Sequence, residues 1–122
     1  MSRMIVLAAL AVAMAACATV ERVERAQVAN EAKVQMIGMT KEQVLACMGP
    51  PATKAAEGAT EVWTYNTGNM QNGVLGIQRY CTINVNINKS RVTALNYLGP
   101  TGGLLDQGEQ CGFALQNCVQ PQ

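Results

Sequence analysis

The sequence predicts an α+β fold with two N-terminal helices packed on a three-stranded antiparallel meander (α-α-β-β-β), followed by a short C-terminal helix. Helical patterns come first and strand patterns follow them, joined by links of hairpin length. Apolar and polar side chains alternate strictly from residue 81 to residue 88, which is typical of an antiparallel strand with one wet face. The chain has no β-α-β alternation, no glycine-rich phosphate loop and no internal repeat.

Composition narrows the classes of function. The chain has 122 residues, enough for one domain, and a formal net charge of +1, which argues against a nucleic-acid partner. It contains no histidine, so it lacks the commonest general base and the usual ligand of catalytic zinc. We therefore expect no enzyme, no metal, no cofactor and no small-molecule substrate.

The first sixteen residues have the organisation of a secretory signal. Arg3 is followed by thirteen apolar residues, from Met4 to Ala16. A membrane-spanning helix needs about 20 such residues, whereas this length after a positive charge fits the apolar region of a signal peptide.

The segment ends in Met14-Ala15-Ala16-Cys17. This ending resembles the lipobox of bacterial lipoproteins, with Met14 where leucine is usual. The resemblance implies that residues 1–16 are a lipoprotein signal peptide and that the Cys17 thiol receives a diacylglycerol. Cleavage then precedes Cys17, and its new amino group is acylated. Ala18, in place of an aspartate, implies sorting to the outer membrane. The alternative is an ordinary cleaved signal with an incidental cysteine.

Residues 17–36 are predicted to form a lipidated N-terminus and a helix that leads away from the lipid. Residues 18–36 contain neither glycine nor proline, and Glu21 and Arg25 have helical i, i+4 spacing. The alternative is a polar tether. Arg22 and Arg25 are expected either to meet anionic headgroups or to pair with Glu21 and Glu24.

The second helix has the clearest local signals. Gly38 ends the first helix, and Thr40 with Gln43 forms a capping box, in which the side chain of each residue bonds the backbone N–H of the other. The helix is predicted over 41–48, where Gly49-Pro50-Pro51 stops it.

Three strands are predicted next, over 61–66, 80–88 and 92–98, with a polar loop before the first. Residues 67–78 are predicted to be a loop because they are rich in glycine and asparagine. A C-terminal helix is predicted over about 107–119, although Gly108 and Gly112 weaken it.

Several of these segments together are similar to the SmpA/OmlA (BamE-like) family of bacterial outer-membrane lipoproteins. The matching segments are Gly38-Met39-Thr40 to Val44, Gly49-Pro50-Pro51, Trp63-Thr64-Tyr65 and Ser90-Arg91-Val92. The resemblance covers about residues 36–98. It implies the α-α-β-β-β fold, related to the β-lactamase inhibitory protein repeat, in a domain that we place at 37–122. The chain departs from the family in four cysteines and in its C-terminal extension.

Those four cysteines are expected to form two disulfides, because lipid occupies Cys17 and the periplasm is oxidising. If residues 111–118 are helical, the Cα atoms of Cys111 and Cys118 lie roughly 10.5 Å apart, beyond the limit of about 7 Å for a disulfide. Each then bonds outside the tail. The open choices are Cys47–Cys111 with Cys81–Cys118, or Cys47–Cys118 with Cys81–Cys111.

The expected function is that of a non-enzymatic lipoprotein on the periplasmic face of the outer membrane. It is expected to act as a structural or assembly accessory that contacts envelope or outer-membrane proteins. A candidate interaction surface comprises Trp63, Tyr65, Met70, Val74 and Leu75, although the two aromatic residues also suit a core. The alternative is a periplasmic inhibitor or small-ligand binder, since related folds bind hydrolases.

Overall fold

A computed structural model describes residues 2–69, 79–103 and 106–120. The elements are α1 (Ser2–Gln35), α2 (Lys41–Met48), β1 (Thr53–Glu57), β2 (Thr60–Asn69), β3 (Arg79–Asn88), β4 (Arg91–Leu98) and α3 (Glu109–Leu115). The predicted class is confirmed: two helices precede an antiparallel sheet, and a short helix closes the described chain.

The sheet has four strands, in the order β1-β2-β3-β4, rather than the three predicted. The additional strand β1 occupies the predicted polar loop and pairs antiparallel with β2, from Thr53 opposite Thr64 to Glu57 opposite Thr60. All five of its residues are exposed, so no apolar alternation marks it in the sequence. Gly58 has a φ of 62° in the connecting turn, a conformation that glycine adopts at little cost.

One face of the sheet forms the core. The predicted apolar face of β3 is confirmed, since Cys81, Ile83, Val85 and Ile87 are all buried. On β2, Trp63 lies opposite Val85 and Tyr65 lies opposite Ile83. β4 adds Val92 and Leu95, and the helices with the residues that follow them add Ala29, Ala32, Met36, Val44, Cys111, Leu115 and Cys118.

The helix α1 is continuous from Ser2 to Gln35 and includes all of the predicted helical tether except its last residue, Met36. Its buried face is made by Ala26, Ala29 and Ala32, and the buried Met36 follows directly after the helix. Val20, near the start of the predicted tether, is 56% exposed. All three residues of α1 that are described as buried are alanines, so a neighbouring backbone can approach α1 closely.

That neighbour is α3, which is shorter than predicted and contacts both α1 and the central strands β2 and β3. Its two glycines are the reason that it fits. Gly108 precedes the helix with a φ of 89°, and a Cβ atom at Gly112 would clash with the Arg25 carbonyl oxygen. The residues that weaken the helix in the sequence therefore permit its packing.

Candidate functional site

The four core cysteines form two disulfides, Cys47–Cys118 and Cys81–Cys111, each with a Cα–Cα distance of 5.1 Å. This is one of the two pairings that the sequence left open. Both bonds join the C-terminal segment to the rest of the domain, one to α2 and one to β3. Cys17, by contrast, is exposed on α1 and has no disulfide partner.

An ion pair joins α1 to α3. Arg25 donates from Nε (3.0 Å) and Nη2 (2.6 Å) to Oε1 of Glu109, whose side chain is 3% exposed. Gln110 Nε2 donates to the other Glu109 oxygen at 2.7 Å, and the Phe113 ring lies 4.5 Å from Arg25 Cζ. The expected pairing of Arg25 with Glu21 or Glu24 is therefore wrong. The carboxylate has hydrogen-bond donors on both oxygens, as a structural ion pair requires.

The residues that carry the family resemblance interlock around α2. Thr40 Oγ1 accepts from the Gln43 N–H at 3.2 Å, and Gln43 Oε1 accepts from the Thr40 N–H at 2.9 Å, which confirms the capping box. Gly49 ends the helix with a φ of 78°. The buried Tyr65 hydroxyl donates to the Gly49 carbonyl at 2.9 Å, so β2 holds the C-terminal end of α2.

Three hydrogen bonds join the segment before α2 to β4. The Gly38 N–H donates to the Val92 carbonyl at 2.8 Å, and the Val92 N–H donates to the Met39 carbonyl at 2.9 Å. Arg91 Nη1 also donates to the Gly38 carbonyl at 2.8 Å. Gly38 has a φ of 87°, which favours glycine there. These segments thus seat α2 on the sheet.

Two lysines next to β2 are also paired within the domain, Lys41 at the start of α2 and Lys54 of β1. Lys41 forms an ion pair with Glu61 of β2. The hydrogen bond from Lys41 lowers the pKa of the Glu61 carboxyl. Lys54 of β1 lies over the Trp63 ring, with Nζ 4.4 Å from the ring centroid. The lysine side chain therefore covers the core where Trp63 forms its edge.

Two of the five residues of the predicted interaction surface lie in the core. Trp63 is 2% exposed and Tyr65 is 6% exposed, so both belong to the core and neither is a surface contact. Burial raises the pKa of the Tyr65 phenol. Met70, Val74 and Leu75 lie outside the described residues.

On the sheet face opposite the helices, β3 presents hydroxyl and amide side chains that are exposed or half-buried. Val62 and Ala94, both opposite Asn86, and Leu98, opposite Thr82, share this face. Thr64 Oγ1 donates to Asn84 Oδ1 at 3.0 Å, and Thr82 Oγ1 donates to Asn66 Oδ1 at 3.1 Å. Asn96 of β4 lies opposite Asn84 on the same face. We call these five threonine and asparagine residues, with Thr60, Asn86 and Asn88, the polar face. The alternation of residues 81–88 in the sequence already indicated it.

Residues 2–69, 79–103 and 106–120 contain no group of three or more histidine, cysteine, aspartate or glutamate side chains arranged to hold a metal ion. No helix in this part of the chain combines the length and the apolar content that a membrane crossing needs. The chain matches no protein-family model, no curated protein and no solved structure.

Proposed function

We propose that this chain is a non-enzymatic lipoprotein, anchored by lipid on Cys17 to the periplasmic face of a bacterial outer membrane. We further propose that it is an accessory in envelope organisation, as its resemblance to the SmpA/OmlA family implies. The main support is that Cys17 ends a lipobox-like segment. Of the five cysteines, it is also the one outside a disulfide. An exposed thiol at that position suits a lipid-transferring enzyme.

The two disulfides support export. Such bonds persist in oxidising compartments and are rare where glutathione keeps thiols reduced. Stable attachment to a bilayer requires two or more acyl chains, which a diacylglycerol thioether together with an acylated amino group supplies.

The polar face supports partner contacts that do not depend on net charge. Its threonine hydroxyls and asparagine amides both donate and accept hydrogen bonds, and the eight residues that define it carry no charge. Groups of this kind favour short-range recognition by a partner held nearby, rather than long-range electrostatic steering.

Intact mass measurement of the protein produced in a Gram-negative host tests the anchor. We expect a chain that begins at Cys17 and carries a diacylglycerol and an acyl group. Cys17→Ala abolishes this mass and leaves an unprocessed precursor. Ala16→Gly is the matched control, because glycine also fits the lipobox, and it retains the lipid. An unmodified Cys17 in the wild-type chain overturns the proposal.

Capture of partners from solubilised membranes tests the role. We expect outer-membrane or assembly proteins to be recovered with the wild-type chain and lost with Asn96→Lys, which places a charge on the polar face. Ala46→Lys is the matched control, since it adds the same side chain at an exposed position of α2. Recovery of a single hydrolase would instead identify an inhibitor and overturn the accessory role.

A further inference from the structure

The helix α1 connects the anchoring cysteine directly to the core. It is helical from Cys17 onward, and Ala26 is the first residue described as buried. Nine residues of helix span about 14 Å, and no glycine or proline interrupts them. The link between lipid and domain is therefore short and helical.

The direction of β4 identifies which end of the domain lies nearer to the lipid. At the C-terminal end of α1, the Val92 N–H bonds the Met39 carbonyl. Farther along β4, the Tyr97 hydroxyl donates to the Ala29 carbonyl at 2.6 Å. β4 thus runs antiparallel to α1 and ends toward Cys17. Leu98, which follows Tyr97 and ends β4, is 53% exposed.

A cation and an aromatic ring lie at the same end. Phe113 of α3 is 46% exposed and stacks beneath the Arg25 guanidinium. Helical side chains lean toward the N-terminus of their helix, so this pair lies on the Cys17 side of the Arg25 backbone. Glu109 neutralises the guanidinium, and an exposed apolar ring beside such a polar pair suits the boundary between water and headgroups.

We propose that this anchor-proximal end, defined by Arg25, Leu98 and Phe113, rests on the surface of the bilayer that carries the lipid. The inference rests on the proposed lipidation of Cys17. Arg25 lies eight helical residues from Cys17, about 12 Å, and the polar layer on each side of a bilayer is about 5–8 Å thick. The Arg25 side chain spans part of the remaining distance between its backbone and the polar layer. A tilt of α1 from the membrane normal accounts for the rest.

This orientation determines what faces the periplasm. The strands run away from the membrane, and the turn at Lys89 and Ser90 lies at the far end. The polar face then lies to the side, where a partner held in the same membrane meets it.

Paramagnetic relaxation of backbone amides tests the orientation. The lipidated chain is reconstituted in nanodiscs of phosphatidylethanolamine and phosphatidylglycerol that contain gadolinium-chelating headgroups. We expect relaxation to be several-fold stronger at Gly99 and Phe113 than at Gly58 and Ser90. Phe113→Ser lowers the relaxation at Gly99, whereas Ile37→Ser, a matched change at an exposed position near the other end of α1, leaves it unchanged.

The outcomes separate the two proposals. A chain without lipid, seen by mass measurement of the same sample, overturns both. A lipidated chain with equal or reversed relaxation at the two ends overturns the orientation and leaves the lipoprotein proposal intact. If Phe113→Ser and Ile37→Ser have the same effect, Phe113 does not contact the bilayer.

Discussion

The two short helices on the core side of the sheet, α2 and α3, reach their places by different means. α2 has eight residues, and a reciprocal capping box starts it. α3 has seven residues, begins after a left-handed glycine and has no side-chain cap. Yet α3 buries four of its seven residues, whereas α2 buries Val44 alone. The helix with the weaker local signal is the more deeply packed.

The difference shows how a short helix is stabilised. Helices shorter than about 12–15 residues are marginal in water, so both depend on the rest of the domain. α2 combines local capping with contacts to β2. α3 depends on contacts with residues far away in sequence. These are the disulfide from Cys111 to β3, the disulfide that joins Cys118 to α2, and the ion pair of Glu109 with Arg25.

Removal of both disulfides is the largest expected disruption of this arrangement. The bonds close loops with sequence separations of 71 and 30 residues, and loss of such a bond typically costs about 2–5 kcal/mol. We expect Cys81→Ser with Cys111→Ser to remove hydrogen-exchange protection from α3 and to lower the urea midpoint of the detergent-solubilised protein. A second pair of substitutions, at Cys47 and Cys118, lowers it further.

Retention of α3 protection in the four-serine variant would show that packing alone holds this helix. Reduction of both disulfides in the wild-type chain with dithiothreitol is the control, since it breaks the crosslinks and keeps every sulfur atom, and we expect the same fall in the unfolding midpoint. The test therefore separates the loss of a sulfur atom from the loss of a crosslink.

The substitution Arg25→Met is expected to have the next largest effect. It leaves the buried Glu109 carboxylate without its cation, and removal of one partner of a buried pair costs about 3–5 kcal/mol. Because 24% of the Arg25 side chain is exposed, we expect about 3 kcal/mol, the lower part of that range. The additional change Glu109→Gln recovers much of the loss in urea unfolding. A double variant no more stable than Arg25→Met would contradict this account.

The substitution Gly112→Ala tests the helix crossing through the sign of its effect. In an exposed helix interior, alanine is about 1 kcal/mol more favourable than glycine. Here its Cβ would lie 3.0 Å from Arg25 Cβ and clash with the Arg25 carbonyl oxygen. Overpacking of this kind costs about 1–3 kcal/mol, so we expect a lower unfolding midpoint. A raised midpoint would mean that α1 and α3 do not cross this closely.

The same contrast explains how much of the molecule could be predicted from its sequence. The alternation of β3 and the capping box of α2 depend on neighbouring residues, and both agree with the structure. The strand β1 was missed because its register is set by backbone bonds to β2 and not by buried side chains. The choice between two disulfide pairings depended on where α3 packs, and no local pattern contains that information.

The same distinction between neighbouring residues and long-range packing applies to the candidate site. Cys17 and the residues before it form a local pattern, and the lipidation that this pattern predicts stays a prediction. The burial of Trp63 and Tyr65 depends on helices from both ends of the chain, so their assignment to a surface was wrong. The Arg25–Glu109 pair spans 84 positions, and only the packing of α3 on α1 reveals it.

The smallest expected effect is at the start of α2, where the cap is local. Thr40→Ala removes the oxygen that accepts the Gln43 N–H, and loss of such a cap costs about 1 kcal/mol. In a domain of this size we expect the melting temperature to fall by roughly 4–8 °C. Thr40→Ser is the matched control, because it keeps the hydroxyl and is expected to keep the stability. Hydrogen exchange should quicken across α2 and stay unchanged in α3, whose support does not pass through Thr40. If α3 loosened equally, the Cys47–Cys118 bond would be transmitting the loss, and the two helices would form one cooperative unit rather than two independently supported ones.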